Sequence, residues 1–111
     1  MSGVTSHVLD LTNGTPASGV ELVLEQADGA GWKPLGRAKT DADGRVKDAF
    51  STLPAAGRYR LTFATGAYFA ARSVACFHPE VSVVFEVRDP AQHHHVPLLL
   101  SPFGYSTYRG S

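Results

Sequence analysis

Side chains on a strand point alternately to its two faces, and that alternation is the dominant pattern in this chain. Val81, Val83, Phe85 and Val87 are spaced by Ser82, Val84, Glu86 and Arg88. Tyr59, Leu61 and Phe63 are spaced by Arg58, Arg60 and Thr62; Val20, Leu22 and Leu24 alternate with Glu21, Val23 and Glu25. A period of two lays one face of each segment on a core. Strand-like runs also extend from Thr5 to Asp10, Trp32 to Thr40, Arg45 to Phe50, His94 to Leu100 and Gly104 to Arg109. Turn residues separate them: Asn13-Gly14-Thr15-Pro16, the hairpin-type pair Asp43-Gly44, and a break from Pro54 to Gly57. About eight short strands at this spacing predict an all-β sandwich with hairpin and Greek-key connections. One Ala-rich segment, from Gly66 to Val74, reads as a short helix covering an edge or end of a sheet.

Length and charge narrow the function classes. A chain of 111 residues is expected to form one domain over 1–111, with a core that needs neither disulfide nor metal. Ten basic and ten acidic residues leave net charge +0, without the basic surplus that nucleic acid or a membrane surface would select. Near-neutrality also offers little electrostatic resistance to self-association. The single Cys76 rules out an internal disulfide and a multi-cysteine zinc site. No apolar run approaches the ~18 residues of a membrane span. Met1 to Ser6 reads as no signal peptide and Arg109-Gly110-Ser111 as no peroxisomal address, so a reducing cytoplasm is expected.

Three consecutive histidines, His93, His94 and His95, look like a metal tract, but a strand cannot aim all three at one ion. Alternation sends His94 inward with Val96, Leu98 and Leu100. It sends His93 and His95 outward, the latter with Pro97 and Leu99. By itself, a solvated outer histidine would explain His95. Ser106 and Tyr108 fall on the opposite face from Tyr105 and Thr107, and the chain closes on Tyr108-Arg109-Gly110-Ser111. His7 in the first strand and Arg45 after the Asp43-Gly44 turn are, one by one, ordinary surface residues.

Taken together they are not ordinary. His7-Val8-Leu9-Asp10 with Gly14-Thr15-Pro16-Ala17, the segment Thr40 to Arg45, and the block from His93 to Ser111 resemble the transthyretin-like family over the whole chain. The resemblance implies an eight-stranded, two-sheet sandwich with one short helix. It also implies a homotetramer, a dimer of dimers, with sites in the channel between dimers. The family contains thyroid-hormone carriers and 5-hydroxyisourate hydrolases. The hydrolases carry a first-strand His, an Arg after the turn, a His before Pro-Leu-Leu and a terminal Tyr-Arg-Gly-Ser, matched here by His7, Arg45, His95 and Tyr108 to Ser111. His94 stands where relatives often have an aromatic or other residue, and Asp48-Ala49-Phe50 is looser than the family pattern.

The implied reaction is hydrolysis of 5-hydroxyisourate to 2-oxo-4-hydroxy-4-carboxy-5-ureidoimidazoline, in urate breakdown. His7 and His95 suit water activation and proton return, since imidazole titrates at ~6.5. Arg45 suits substrate oxygens and developing negative charge. Tyr108 is expected to fix the ring plane, and Ser111 to offer a hydroxyl and a carboxylate that orients a histidine. No metal or cofactor is required, and Cys76 reads as a small buried hydrophobe. A transthyretin-type carrier and an adhesive sandwich without a site are the alternatives. The second leaves the outward His95 face unexplained.

Overall fold

The computed structural model describes residues 3–111; Met1 and Ser2, which begin the segment read as no signal peptide, lie outside the described residues. The chain runs β1 (Gly3–Asp10), β2 (Thr15–Pro16), β3 (Glu21–Asp28), β4 (Gly31–Lys39), β5 (Arg45–Phe50), β6 (Gly57–Phe63), α1 (Thr65–Ala70), β7 (Val81–Val87), β8 (His93–Leu100) and β9 (Tyr105–Thr107). In one sheet β8 lies between β1 and β9, and the other edge of β1 carries β5 and β2. The second sheet is ordered β4-β3-β6-β7 and is antiparallel throughout. Among the described residues no helix is long and apolar enough to cross a membrane.

The alternating segments supply the layer between the sheets. Leu22 and Leu24 of β3, Tyr59, Leu61 and Phe63 of β6, and Val81 and Val87 of β7 are buried against Val4, Val8, Val96, Leu98 and Leu100. Each such side chain contributes about 1.5–3 kcal/mol when fully buried. The exposed Lys39–Glu21 pair at 3.9 Å contributes at most about 1 kcal/mol, so burial rather than surface pairing sets the fold. The tighter Arg60–Glu25 pair, at 2.7 Å, stands under Trp32, whose ring lies 4.4 Å from the guanidinium.

Three details differ from the sequence expectation. The Asp43-Gly44 turn, with Gly44 at φ 75°, is not a hairpin: β4 and β5 belong to different sheets, so the chain crosses the sandwich there. Asp41 holds this crossing, its Oδ1 accepting from the Asp43 and Arg45 N–H groups at 2.9 Å each. Thr15–Pro16, read as turn, pairs with the end of β1. The helix stops at Ala70 rather than Val74 because Ser73 takes φ 58° and the Ser73 and Val74 N–H groups fold back onto the Ala70 and Phe69 carbonyls. That helix is tied down by Tyr68, whose hydroxyl donates to buried Asp10 at 2.8 Å. Burial, then the Asp10 carboxylate, pushes the phenol up to about 12.

His94 points inward, 4% exposed, beside Phe85, and its Nδ1 has no hydrogen-bond partner among the described residues. Burial, then the charge of Arg109, holds its pKa below 6.5. A depressed imidazole pKa stabilises the fold fully above the unfolded value, and that contribution is lost as pH falls below about 6.5. Urea unfolding at about pH 7 and about pH 5 should therefore show a smaller loss of stability for His94→Phe than for the native chain. An equal loss in both would contradict this account of the buried ring.

Candidate active site

The outward face of the first sheet is assembled by β1, which pairs on both sides. Its parallel partner β8 sets Thr5 opposite His95 and His7 opposite Pro97. Its antiparallel partner β5 sets His7 opposite Arg45. Strands far apart in sequence thus bring Thr5, His7, Arg45, His93 and His95 onto one face.

There they border an open groove of about 380 Å³, lined by Thr5, Ser6, Arg45, Val46, Lys47, His93, His95 and Ser111. His7 lies next to it, its Nε2–H donating to the Asp43 carbonyl at 3.0 Å. A carbonyl only accepts, so this bond fixes the proton on Nε2 and leaves Nδ1 of the neutral ring with its lone pair. The Thr5 hydroxyl stands between two imidazoles, 2.7 Å from His95 Nδ1 and 2.8 Å from His93 Nε2. The two rings stack at 6.3 Å. Burial first, then the charges of Arg45, His93 and His7, hold the His95 pKa below 6.5, which favours the neutral ring. Arg45 forms no ion pair among the described residues, which leaves its guanidinium available to an oxygen-rich ligand.

The C-terminal segment reaches the groove because of Pro97. Without an N–H, Pro97 cannot sustain the β8–β9 ladder, and pairing stops at Thr107, whose hydroxyl donates to the Pro97 carbonyl at 2.7 Å. Backbone bonding resumes at Gly110, whose N–H donates to the His95 carbonyl at 2.8 Å. Gly110 is required by close approach rather than by a turn, since any Cβ there would collide with the His95 ring. Ser111 then lies at the groove. Tyr108 does not border it: 58% exposed, it lines a separate hollow of about 210 Å³ with Phe85, His94 and Arg109.

The chain therefore brings together His95, Arg45 and Ser111, with His7 adjoining, and sets Tyr108 apart. Thr5, His93 and Lys47 are the outward-facing groove residues that the sequence reading did not select. Each stands two positions from a selected residue, so strand alternation was the signal that could have found them. Among the described residues no three His, Cys, Asp or Glu side chains converge as metal ligands. Cys76 is half-buried against the core, away from the groove.

The profile of the HIUase/Transthyretin family matches residues 4–110. The chain belongs to this family. It is 50% identical over 106 residues to the 5-hydroxyisourate hydrolase of Salmonella dublin, covering 95% of this chain and 78% of that protein. The solved 5-hydroxyisourate hydrolase of Klebsiella pneumoniae superposes with a TM-score of 0.86 at 40% identity, covering 99% of this chain and 100% of that one. Sea bream transthyretin in complex with thyroxine gives a TM-score of 0.90 at 34% identity, covering 96% and 93%. Members of the HIUase/Transthyretin family with different ligands thus share this backbone, so the backbone alone does not separate them.

The electrostatics of the groove can be measured without a substrate. An NMR titration of His95 should give a pKa below 6.5, and Arg45→Gln should move it upward, since one of the charges opposing protonation is gone. Burial should still keep it below the ordinary value. A His95 titration unmoved by Arg45→Gln would separate the two side chains.

Proposed function

We propose that this chain hydrolyses 5-hydroxyisourate to 2-oxo-4-hydroxy-4-carboxy-5-ureidoimidazoline in urate degradation, and that the groove on the first sheet is its active site. The observation carrying this reading is the convergence of His95, Arg45 and Ser111 on one groove, with His7 directly across from Arg45. The similarity to proteins named 5-hydroxyisourate hydrolase supports it.

The chemistry follows from the side chains. Water adds its oxygen to a ring carbonyl carbon, the ring C–N bond breaks, and a proton passes from that water to the departing nitrogen. His7 and His95 form the pair that takes up and returns this proton. Both are suited to it, His95 because it is held neutral, His7 because its Nδ1 keeps a lone pair when the ring is neutral. Arg45 binds substrate oxygens and stabilises the oxyanion, its planar donors remaining charged throughout. Ser111 offers a hydroxyl to the bound ring. Tyr108 takes part in binding through a neighbouring subunit or the channel mouth, since within its own subunit it stands apart from the groove.

The functional unit in this reading is a homotetramer, a dimer of dimers. Two features support it. Among the described strands the outer edges of β7 and β9 are unpaired, and Val84, Phe103, Tyr105 and Tyr108 are exposed nearby. Open strand edges and exposed apolar side chains both favour association. The free thiol of Cys76 suits the reducing cytoplasm. A transthyretin-type carrier is the second reading, favoured by the likeness to the thyroxine complex and opposed by the cationic groove.

Absorbance decay of enzymatically generated 5-hydroxyisourate decides between them. The protein should accelerate the decay, and His95→Asn should lower kcat/KM about a hundredfold or more. Decay at the buffer rate, with thyroxine bound, would establish the carrier instead. Sedimentation of the same preparation should give about four times the 11.8 kDa chain mass; an active monomer would overturn the proposed assembly.

A further inference from the structure

We infer that Thr5 and His93 are positioning residues for His95: the Thr5 hydroxyl accepts the His95 Nδ1 proton and donates its own to His93 Nε2, so His95 Nε2 meets the groove as a lone pair. The inference deepens the hydrolase reading, and its kinetic consequence rests on it, because it makes His95 the base of the histidine pair.

The argument begins with the count of protons. Thr5 Oγ1 lies within 2.7 Å of His95 Nδ1 and 2.8 Å of His93 Nε2, and a hydroxyl carries a single proton. It can donate to one of these nitrogens and must accept from the other for both bonds to form. The two neutral rings are therefore locked into complementary tautomers. If Thr5 donates to His93, then His95 holds its proton on Nδ1 and is unprotonated at Nε2. If Thr5 donates to His95, then His95 presents Nε2–H to the groove.

The surroundings select the first arrangement. His95 Nε2 makes no hydrogen bond to a described residue, and the groove beside it is lined by Arg45 and Lys47. A lone pair directed toward two cationic side chains is attracted, whereas an N–H dipole in the same place is repelled. Burial, and then the charge of Arg45, also opposes a second proton on this ring at rest. When Nε2 takes a proton from water, the Nδ1–H bond to Thr5 becomes a bond from a cation and strengthens. Support from Thr5 is then greatest when His95 is charged, as it is after water has been activated.

The backbone fixes this geometry. Thr5 is the register partner of His95 and Gly3 that of His93 on parallel strands, so one hydroxyl is held between imidazoles two residues apart. Gly110 packs against the far side of the His95 ring, with no room for a Cβ, and keeps that ring in place against Thr5.

The test compares Thr5→Val, which keeps the β-branched shape without the hydroxyl, with Thr5→Ser, which keeps the hydroxyl. The first measurement needs no substrate: 15N chemical shifts of the His95 ring in histidine-labelled protein at a pH where the ring is neutral. The native shifts should report Nδ1–H, and Thr5→Val should move the population toward Nε2–H. The second measurement is turnover. Thr5→Val should lower kcat about tenfold or more with KM nearly unchanged, as expected when a general base loses its support. Thr5→Ser should stay within about threefold of native on both readouts. His93→Leu should reproduce the Thr5→Val loss, and the double variant should be no worse than either single one, because the two side chains act as one unit. A native His95 with its proton on Nε2, or native turnover in both Thr5→Val and His93→Leu, would overturn the inference. Absence of 5-hydroxyisourate hydrolysis in the native protein would sink the hydrolase reading alone, with the 15N shifts still deciding the tautomer.

Discussion

The parallel pairing of β1 with β8 is the constraint on which the groove depends. It is the one parallel ladder among the described strands, and it runs without interruption from Gly3 opposite His93 to Asp10 opposite Leu100. Parallel neighbours cannot be joined by a tight hairpin, and here almost the entire chain lies between them. The second sheet, the helix and strands β2 and β5 thus all lie in the connection that brings the first strand beside the next-to-last one. Ser6 adds a buried bond across the ladder, its hydroxyl donating to the Val96 carbonyl at 2.8 Å. A shift of one residue would reverse every facing, placing His94 in the groove and His95 in the core.

The fold then separates two tasks by sheet face. Inward residues of β1, β5 and β8 seal the core through Val4, Val8, Val46, Val96, Leu98 and Leu100. Outward residues of the same strands carry the ionisable groups. A rigid sheet fixes such groups more tightly than a loop does, because each strand position is held by its neighbours' hydrogen bonds. The crossing held by Asp41 is the one loop that intrudes, and it does so to start β5 at Arg45, opposite His7. Pro97 adds the second intrusion: it interrupts one ladder, and the C-terminal segment regains a backbone bond only at His95.

Sharing this backbone with transthyretin places the functional distinction in very few side chains. An apolar face of similar shape would suit a bulky apolar ligand. Arg45, Lys47 and two outward imidazoles instead make a cationic, polar face, which in the proposed reading suits an oxygen-bearing ring. In the proposed tetramer, the edges of β7 and β9 that are unpaired among the described strands, and the exposed aromatic side chains beside them, are where further copies of the chain would pack.

Strand identity and facing were legible in the sequence because side-chain alternation is a local property of extended backbone. It placed Tyr59, Leu61 and Phe63 in the core, and turned His94 inward and His95 outward. The family resemblance added His7, Arg45, Tyr108 and Ser111 as a set. Partnership between strands was not legible, because a ladder is satisfied by any strand of matching length and pattern, and local periodicity does not name the partner. Only the tertiary structure decided that Thr5 meets both His93 and His95. It also made the Asp43-Gly44 turn a crossing between sheets and set Tyr108 outside the groove that Ser111 enters. The sequence by itself determined which side of each strand would carry the candidate site. Long-range hydrogen-bond pairing determined which of those sides share a groove.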